Sequence, residues 1–394
     1  MRRRRGLIAA AFLILTLVTG CAWQPALLLP SSKNGKTERP IPADEDIVIG
    51  VSIWSTVDPL GSECKKMLDL AASALGVRIR YISHDYTPDK VKASVRLLCE
   101  AGCRGVVVCN CSDAEMEEII GTCEENGVYF AQSFREISGT LSPAERKAAA
   151  ESPFCVGAVH ENEEENGEIL TRFLLEKGKR EIGLIGWRVG DAAWLSRWQG
   201  CETAVEKWNV EHPDDKAGLT EPKYGGMTQK DGESAAAVLL KENPAIDAIV
   251  VAGGGGEPLS GVIAAVNEAG QKERIDIAAT DFIRDPAEYL ADGTLDGLAG
   301  GTYADPLFAF LAVYRAIKGM EEDCAGKYTE IMVPYMYVVS PDEYTAYKEC
   351  FKDRLPYTEE EIRQMASMDS ESLKSTAAAL SVEDVRARIP AEAE

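Results

Sequence analysis

Ile47-Val48-Ile49-Gly50-Val51-Ser52-Ile53, followed by Asp58-Pro59, decides the fold class. The run is almost wholly apolar and rich in β-branched residues, the pattern of a strand buried on both faces. Asp58-Pro59 opens a helical stretch in which Cys64, Met67, Leu68, Ala71, Ala72 and Leu75 share one face. Gly76 stands where a C-cap glycine belongs. Outward from there the spacing predicts strands over 77–82, 105–109 and 128–132, with helices over 89–101 and 113–125. Strands alternating with helices of this length imply a parallel sheet covered on both faces.

The pattern lapses in a polar stretch over 138–152, and a second series then begins. Strands are expected over 154–159, 181–186, 248–252, 275–280, 295–299 and 332–339. Helices are expected over 163–177, 194–208, 234–241, 258–269 and 305–318, with a short one near Pro286. Two α/β units of similar size, with no long linker, imply two lobes facing each other across a cleft, a preferred ligand site. Beyond Phe351 the chain is polar and helix-prone, and residues 353–394 read as an accessory tail.

The N-terminus points to export. Arg2 to Arg5 precede an apolar run over 7–18 that is short for a membrane span but suits a signal-peptide core. It ends in Val18-Thr19-Gly20-Cys21, which resembles the lipobox of bacterial lipoproteins; the resemblance implies cleavage before Cys21 and a lipid on its thiol. An uncleaved anchor helix is the other reading of the run. Residues 21–44, with Pro25, Pro30, Pro40 and Pro42, read as a tether. The formal charge of −22 argues against nucleic acid as a partner and gives the body no attraction to an anionic membrane surface. Cys21 apart, ten cysteines remain, and several occupy core-like positions, so buried free thiols are expected rather than a disulfide framework. Cys99/Cys103 and Cys109/Cys111 have no histidine near them in sequence, so no metal site is expected.

Further motifs carry a family resemblance. These are the Ala101-Gly102-Cys103-Arg104-Gly105-Val106-Val107-Val108 unit, the stretch over 176–186 that ends in Ile182-Gly183-Leu184-Ile185-Gly186, Arg197 with Gly200, and Asp292-Gly293-Thr294-Leu295-Asp296. In order and spacing, together with the opening strand, they resemble the type I periplasmic binding proteins, the family of the ribose- and galactose-binding proteins. The resemblance covers roughly residues 45–345. It implies two Rossmann-like lobes with parallel sheets joined by a three-crossing hinge, with crossings placed near 150, 302 and 330. The first lobe is then 45–150 plus 302–330, and the second 151–301 plus 331–352. It also implies a monomer without cofactor that captures a small polar, sugar-like ligand and delivers it to an ABC transporter permease.

Parallel α/β sheets bind ligands beyond the carboxyl ends of their strands. That rule selects Trp54, Ser55, Asp58, Asn110, Phe134 and Arg135 in the first lobe. In the second it selects Trp187, Arg197, the Gly253–Gly256 run with Gly255, Asp281 and Tyr303. Arg presents forked donors and Asp accepts from hydroxyls, so Arg135, Arg197 and Asp281 are expected to converge on one ligand. Trp54, Trp187 and Trp194 are candidates to stack on a sugar face. The alternative for Arg135 and Asp281 is a salt bridge. Phe134, Gly255-Gly256 and Gly301 stand where the family has polar side chains, which argues against plain ribose or glucose. The glycine run fits a tight turn or a nest of backbone N–H groups for an anion.

The sequence holds no Gly-x-Ser-x-Gly elbow, His-Glu-x-x-His or Walker loop, and an enzyme is not expected. The carboxylates of Glu161 to Glu165 read as the solvated first turn of a helix. A sensor subunit presenting its ligand to a membrane kinase or chemoreceptor remains open, as does a nucleoside or small carboxylate as ligand.

Overall fold

The computed structural model describes residues 42–137, 143–253, 256–320 and 329–389, all within one structural unit. β1 (Val48–Ile53), α1 (Pro59–Leu75), β2 (Arg78–Ser83), α2 (Pro88–Glu100), β3 (Gly105–Val108), α3 (Met116–Asn126) and β4 (Tyr129–Ser133) alternate as the sequence implies. The punctuation is local. The Asp58 side chain accepts from the Gly61 backbone N–H with Pro59 in the first turn of α1, and Gly76 ends that helix at φ 66°. α4 (Pro143–Glu151) and β5 (Cys155–His160) follow. The polar stretch before β5 is therefore in part a helix; its alanine-rich AERKAAAE composition favours one despite the lack of large apolar residues.

The second series contains α5 (Glu163–Glu176), β6 (Glu181–Gly186), α6 (Ala192–Glu211), the short β7 (Gly218–Leu219) and β8 (Lys223–Tyr224), and α7 (Gln229–Glu242). It continues through β9 (Ala248–Val251), α8 (Glu257–Glu268), β10 (Asp276–Thr280), α9 (Ala287–Ala291) and β11 (Gly297–Gly300). Then come α10 (Asp305–Ile317), β12 (Thr329–Met332), β13 (Met336–Val338), α11 (Pro341–Phe351), α12 (Glu359–Ser367), α13 (Ser370–Ala378) and α14 (Val382–Arg388).

Two sheets result. The first has the order β12-β5-β4-β3-β1-β2 and is parallel throughout. The second has the order β13-β11-β10-β9-β6-β7, with β8 also on β6, and only β13 runs antiparallel. This moves two of the three crossings. β5 pairs with β4 and β12, so the chain first leaves the first lobe after His160 rather than near 150. The second crossing lies between β11 and α10. The third lies between β12 and β13, beyond residue 330. The single strand expected over 332–339 is two strands in two sheets, parted at Pro334, which has no N–H for a ladder.

The stretch after Phe351 is docked rather than trailing. Ile362, Met365, Ala366, Leu373, Ala377, Leu380 and Val385 are buried in the same core as α1 and α10. Arg363 donates to the Ala74 carbonyl oxygen at 3.0 Å, and Ser73 to Glu359 at 2.9 Å. The nine cysteines among the described residues, Cys64 and Cys350 among them, are buried free thiols, and Cys324 lies outside those residues. Cys21 and the rest of residues 1–41, with the expected signal, lipidation and most of the tether, lie outside the described residues.

Candidate ligand-binding site

The carboxyl ends of both sheets open onto one cavity of about 650 Å³, counting its mouth. Trp54, Asn110, Phe134 and Arg135 reach it from the first lobe, and Trp187, Arg197 and Asp281 from the second. Glu161, Thr302 and Tyr335 come from the three crossings themselves, so the hinge forms part of the wall.

Second-lobe geometry starts from two glycines. A Cβ on Gly167 would meet the Arg197 carbonyl oxygen at 1.9 Å, and one on Gly200 the Glu164 carbonyl oxygen at the same distance. α5 and α6 therefore cross at backbone contact, which brings Arg197 over the first turn of α5. The Arg197 guanidinium grips Glu163 through two bonds, Nε–Oε2 at 2.6 Å and Nη2–Oε1 at 2.9 Å. Nη2 also donates to the Tyr335 hydroxyl at 2.7 Å, and Nη1 donates to the Ala252 carbonyl oxygen. Tyr335 in turn donates to Glu163 at 2.9 Å, closing a ring of three. The guanidinium lies 5.4 Å from the Trp187 ring centre. Gly253, at φ +117°, leaves it room, because a Cβ there would sit 2.6 Å from Nη1 and 3.1 Å from the Asp281 carboxylate.

Arg135 behaves differently. Its Nη2 donates across the cleft to Asp191 Oδ2 at 2.5 Å and to the Tyr86 hydroxyl at 2.8 Å. Tyr86 donates to the same Asp191 oxygen at 3.1 Å, while Oδ1 of Asp191 caps α6 at the Ala193 N–H. Arg188 adds a further bond between the lobes, to the Cys111 carbonyl oxygen at 2.7 Å. The salt-bridge alternative for Arg135 thus holds, and it holds between lobes.

Four polar side-chain atoms of the wall are buried without a hydrogen-bond partner among the described residues. They are Asn110 Oδ1, Arg135 Nη1, Glu161 Oε1 and Trp187 Nε1, each on a residue more than nine-tenths buried. Such atoms cost on the order of 1–3 kcal/mol each unless something completes them. Aromatic rings flank them: Trp54 meets Phe134 edge-on at 5.3 Å between ring centres. Phe134 is held at φ 63°, with its N–H donating to Asp305 at 3.2 Å. Burial pushes the Glu161 carboxyl well above the usual carboxylate range; Asp305, Glu163 and Asp281 add to the rise and Arg197 opposes it. Asp305, held by Ser133 and Phe134, is raised for the same first cause.

Seven expected residues line the cavity: Trp54, Asn110, Phe134, Arg135, Trp187, Arg197 and Asp281. Ser55 and Asp58 do not. Ser55 Oγ accepts the Val57 N–H, and Asp58 caps α1 while accepting from Trp54 Nε1 at 3.1 Å, so both shape the turn that carries Trp54. Tyr303 is fully buried behind the wall, donating to the Phe351 carbonyl oxygen, and its neighbour Thr302 takes the lining position. Trp194 packs in the core against Gly186 and Trp198. Gly255 lies outside the described residues. Tyr86, Glu161, Glu163 and Tyr335 are wall residues that the pattern missed. Glu161 and Glu163 were hidden in an acidic run read as solvated; Glu164 and Glu165 are exposed as read, but Glu161 is 3% exposed and Glu163 pairs with Arg197. Glu161 follows a strand directly, and the carboxyl-end rule could have found it. Among the described residues, no group of three or more His, Cys, Asp or Glu side chains is placed to hold a metal ion.

Two parallel-sheet lobes, three crossings and a lined cleft between them define a two-lobed solute-binding architecture. Residues 49–316 match the family model described as the periplasmic binding protein domain, and the chain belongs to that family. Solved structures agree on the fold. The periplasmic binding protein component of the arabinose ABC transporter from Shewanella sp. ANA-3, bound to L-arabinofuranose, superposes with a TM-score of 0.65 at 16% identity, covering 78% of this chain and 96% of that one. An ABC transporter solute-binding protein from Bacillus halodurans C-125 with bound myo-inositol gives 0.61 at 17% identity, covering 78% and 99%. One from Actinobacillus succinogenes 130z with bound D-allose gives 0.62 at 14% identity, covering 76% and 100%. No curated protein matches the sequence.

Proposed function

We propose that the protein captures a sugar or sugar derivative between its lobes and delivers it to an ABC transporter permease, acting by binding alone. The observation that carries this reading is the set of four unpartnered polar atoms on residues that line one aromatic-walled cavity. Arg135 Nη1 and Trp187 Nε1 can only donate, Asn110 Oδ1 can only accept, and a hydroxyl does both. A polyol completes all of them while its apolar ring face lies on Trp54, Phe134 or Trp187. The arabinofuranose, inositol and allose bound by the similar structures support the same ligand class. The Arg2–Arg5 cluster, the apolar run and Cys21 support a lipid-anchored protein at the outer face of the cell membrane.

A thermal-shift screen of the protein lacking residues 1–20 tests the reading against pentoses, hexoses and their amines, cyclitols, nucleosides and small carboxylates. A ligand that binds only the folded state, at about 1,000 times its dissociation constant, adds roughly 4 kcal/mol and raises the melting point by several degrees. A shift with a sugar or cyclitol, whether neutral or amine-bearing, supports the reading. A shift confined to nucleosides or carboxylates overturns it.

A further inference from the structure

The charges of the cleft do not balance. Arg135 and Arg197 are its two guanidinium groups, and each is already held by a carboxylate, Asp191 and Glu163. Beyond those pairs the wall carries Glu161, with Asp305 behind it at Ser133. A second chamber, of about 880 Å³ counting its mouth, adjoins the first on the hinge side and adds Glu136 and Glu164. Arg135 and His160 are the basic or imidazole side chains of that chamber, and the whole chain carries −22. Glu161 lines both chambers, buried, with Oε1 unpartnered among the described residues.

An anionic ligand would enter this space against a surplus of carboxylates. A neutral sugar would leave the surplus as it stands. A cation seated at Glu161 would turn a buried lone carboxyl into an ion pair, where low dielectric makes the attraction strong. We propose that the ligand carries a basic amine, as an amino sugar or aminocyclitol does, seated against Glu161 where the two chambers meet. The inference rests on the reading of the cleft as a sugar site and sharpens it. Glu161 faces Asp305 from α10, Glu163 and Arg197 from α5 and α6, and Asp281 after β10, with His160 beside it in the chain. Burial and the neighbouring carboxylates raise its affinity for a proton, with Arg197 opposing them. An ammonium group at Oε1 offsets that rise and favours the charged carboxyl, so a proton bound there leaves to solvent on binding.

The test is isothermal calorimetry with D-glucosamine, D-galactosamine, D-mannosamine and 2-deoxystreptamine, set against the N-acetyl forms, the parent hexoses, myo-inositol and D-glucuronate. One free amine is expected to bind at least about tenfold more tightly than its N-acetyl and hydroxyl counterparts. Its binding heat should vary with buffer ionisation enthalpy, reporting release of about one proton. In Glu161→Gln, checked for a cooperative melt, the amine-to-hydroxyl ratio and the proton release should both collapse; in Glu161→Asp both should persist. Equal or tighter binding of a neutral congener, or an amine preference that survives Glu161→Gln, overturns the amine and leaves the sugar reading standing. Preference for glucuronate overturns the amine outright. Binding by no member of the panel overturns the amine and leaves the sugar reading to the thermal-shift screen.

Discussion

Two arginines face the same cavity, and their partners set them apart. Arg197 is satisfied within the second lobe and the hinge, by Glu163, Tyr335 and the Ala252 carbonyl oxygen. Opening the cleft would leave those bonds intact. Arg135 reaches from one lobe to the other, and its bond to Asp191 exists only while the two surfaces meet. Type I hinge closure is a population shift between open and closed states. Arg197 is therefore part of a rigid, pre-organised wall, whereas Arg135 adds to the free-energy difference between the states. One arginine is tied within the second lobe and the hinge, and the other ties the two lobes together.

The largest effect should come from breaking the rigid half. Arg197→Met leaves Glu163 in the wall without its forked donor, and removing one partner of a buried pair costs about 3 kcal/mol or more. Urea unfolding of the unliganded protein should show that loss. An unfolding free energy within about 1 kcal/mol of the parent would break the comparison. Arg135→Ala should separate stability from binding. Its partner Asp191 regains water when the lobes part, so the unliganded variant should unfold close to the parent. Affinity for the ligand found by thermal shift should fall about 100-fold, about 2.7 kcal/mol. Unaltered affinity would remove Arg135 from the site.

Much of this was legible in one dimension, and the reasons for the rest are physical. β1, α1 and their repeats show because each is punctuated locally, by Asp58-Pro59 at one end and Gly76 at the other. The crossing after His160 did not show, because the polar helix before β5 mimics a domain boundary. Asp191 lies 56 residues beyond Arg135, and no periodicity links residues that meet only when two lobes touch. Glu161 and Glu165 stand in one acidic run, yet one is buried in the hinge and the other is exposed on a helix. The helices after Phe351 carry a readable amphipathic pattern, but what they dock on, the face formed by α1 and α10, is a property of the assembled fold.

Tyr335 gives the finest probe of the rigid half, because it sits at the third crossing and touches both members of the pair. Its hydroxyl accepts from Arg197 at 2.7 Å and donates to Glu163 at 2.9 Å. Tyr335→Phe keeps the ring near the Arg197 guanidinium, 5.8 Å away, and removes only those two bonds. The direct Arg197–Glu163 bonds remain, so neither charge is orphaned, and the cost should be about 1 kcal/mol. If the ring of three acts as one network, the double variant with Arg197→Met should lose less than the sum of the singles, because the hydroxyl has only Glu163 left to hold. Strict additivity would mean that Tyr335 merely fills space at the crossing. In that case the rigidity of the second-lobe wall would belong to the backbone contact of α5 and α6 at Gly167 and Gly200.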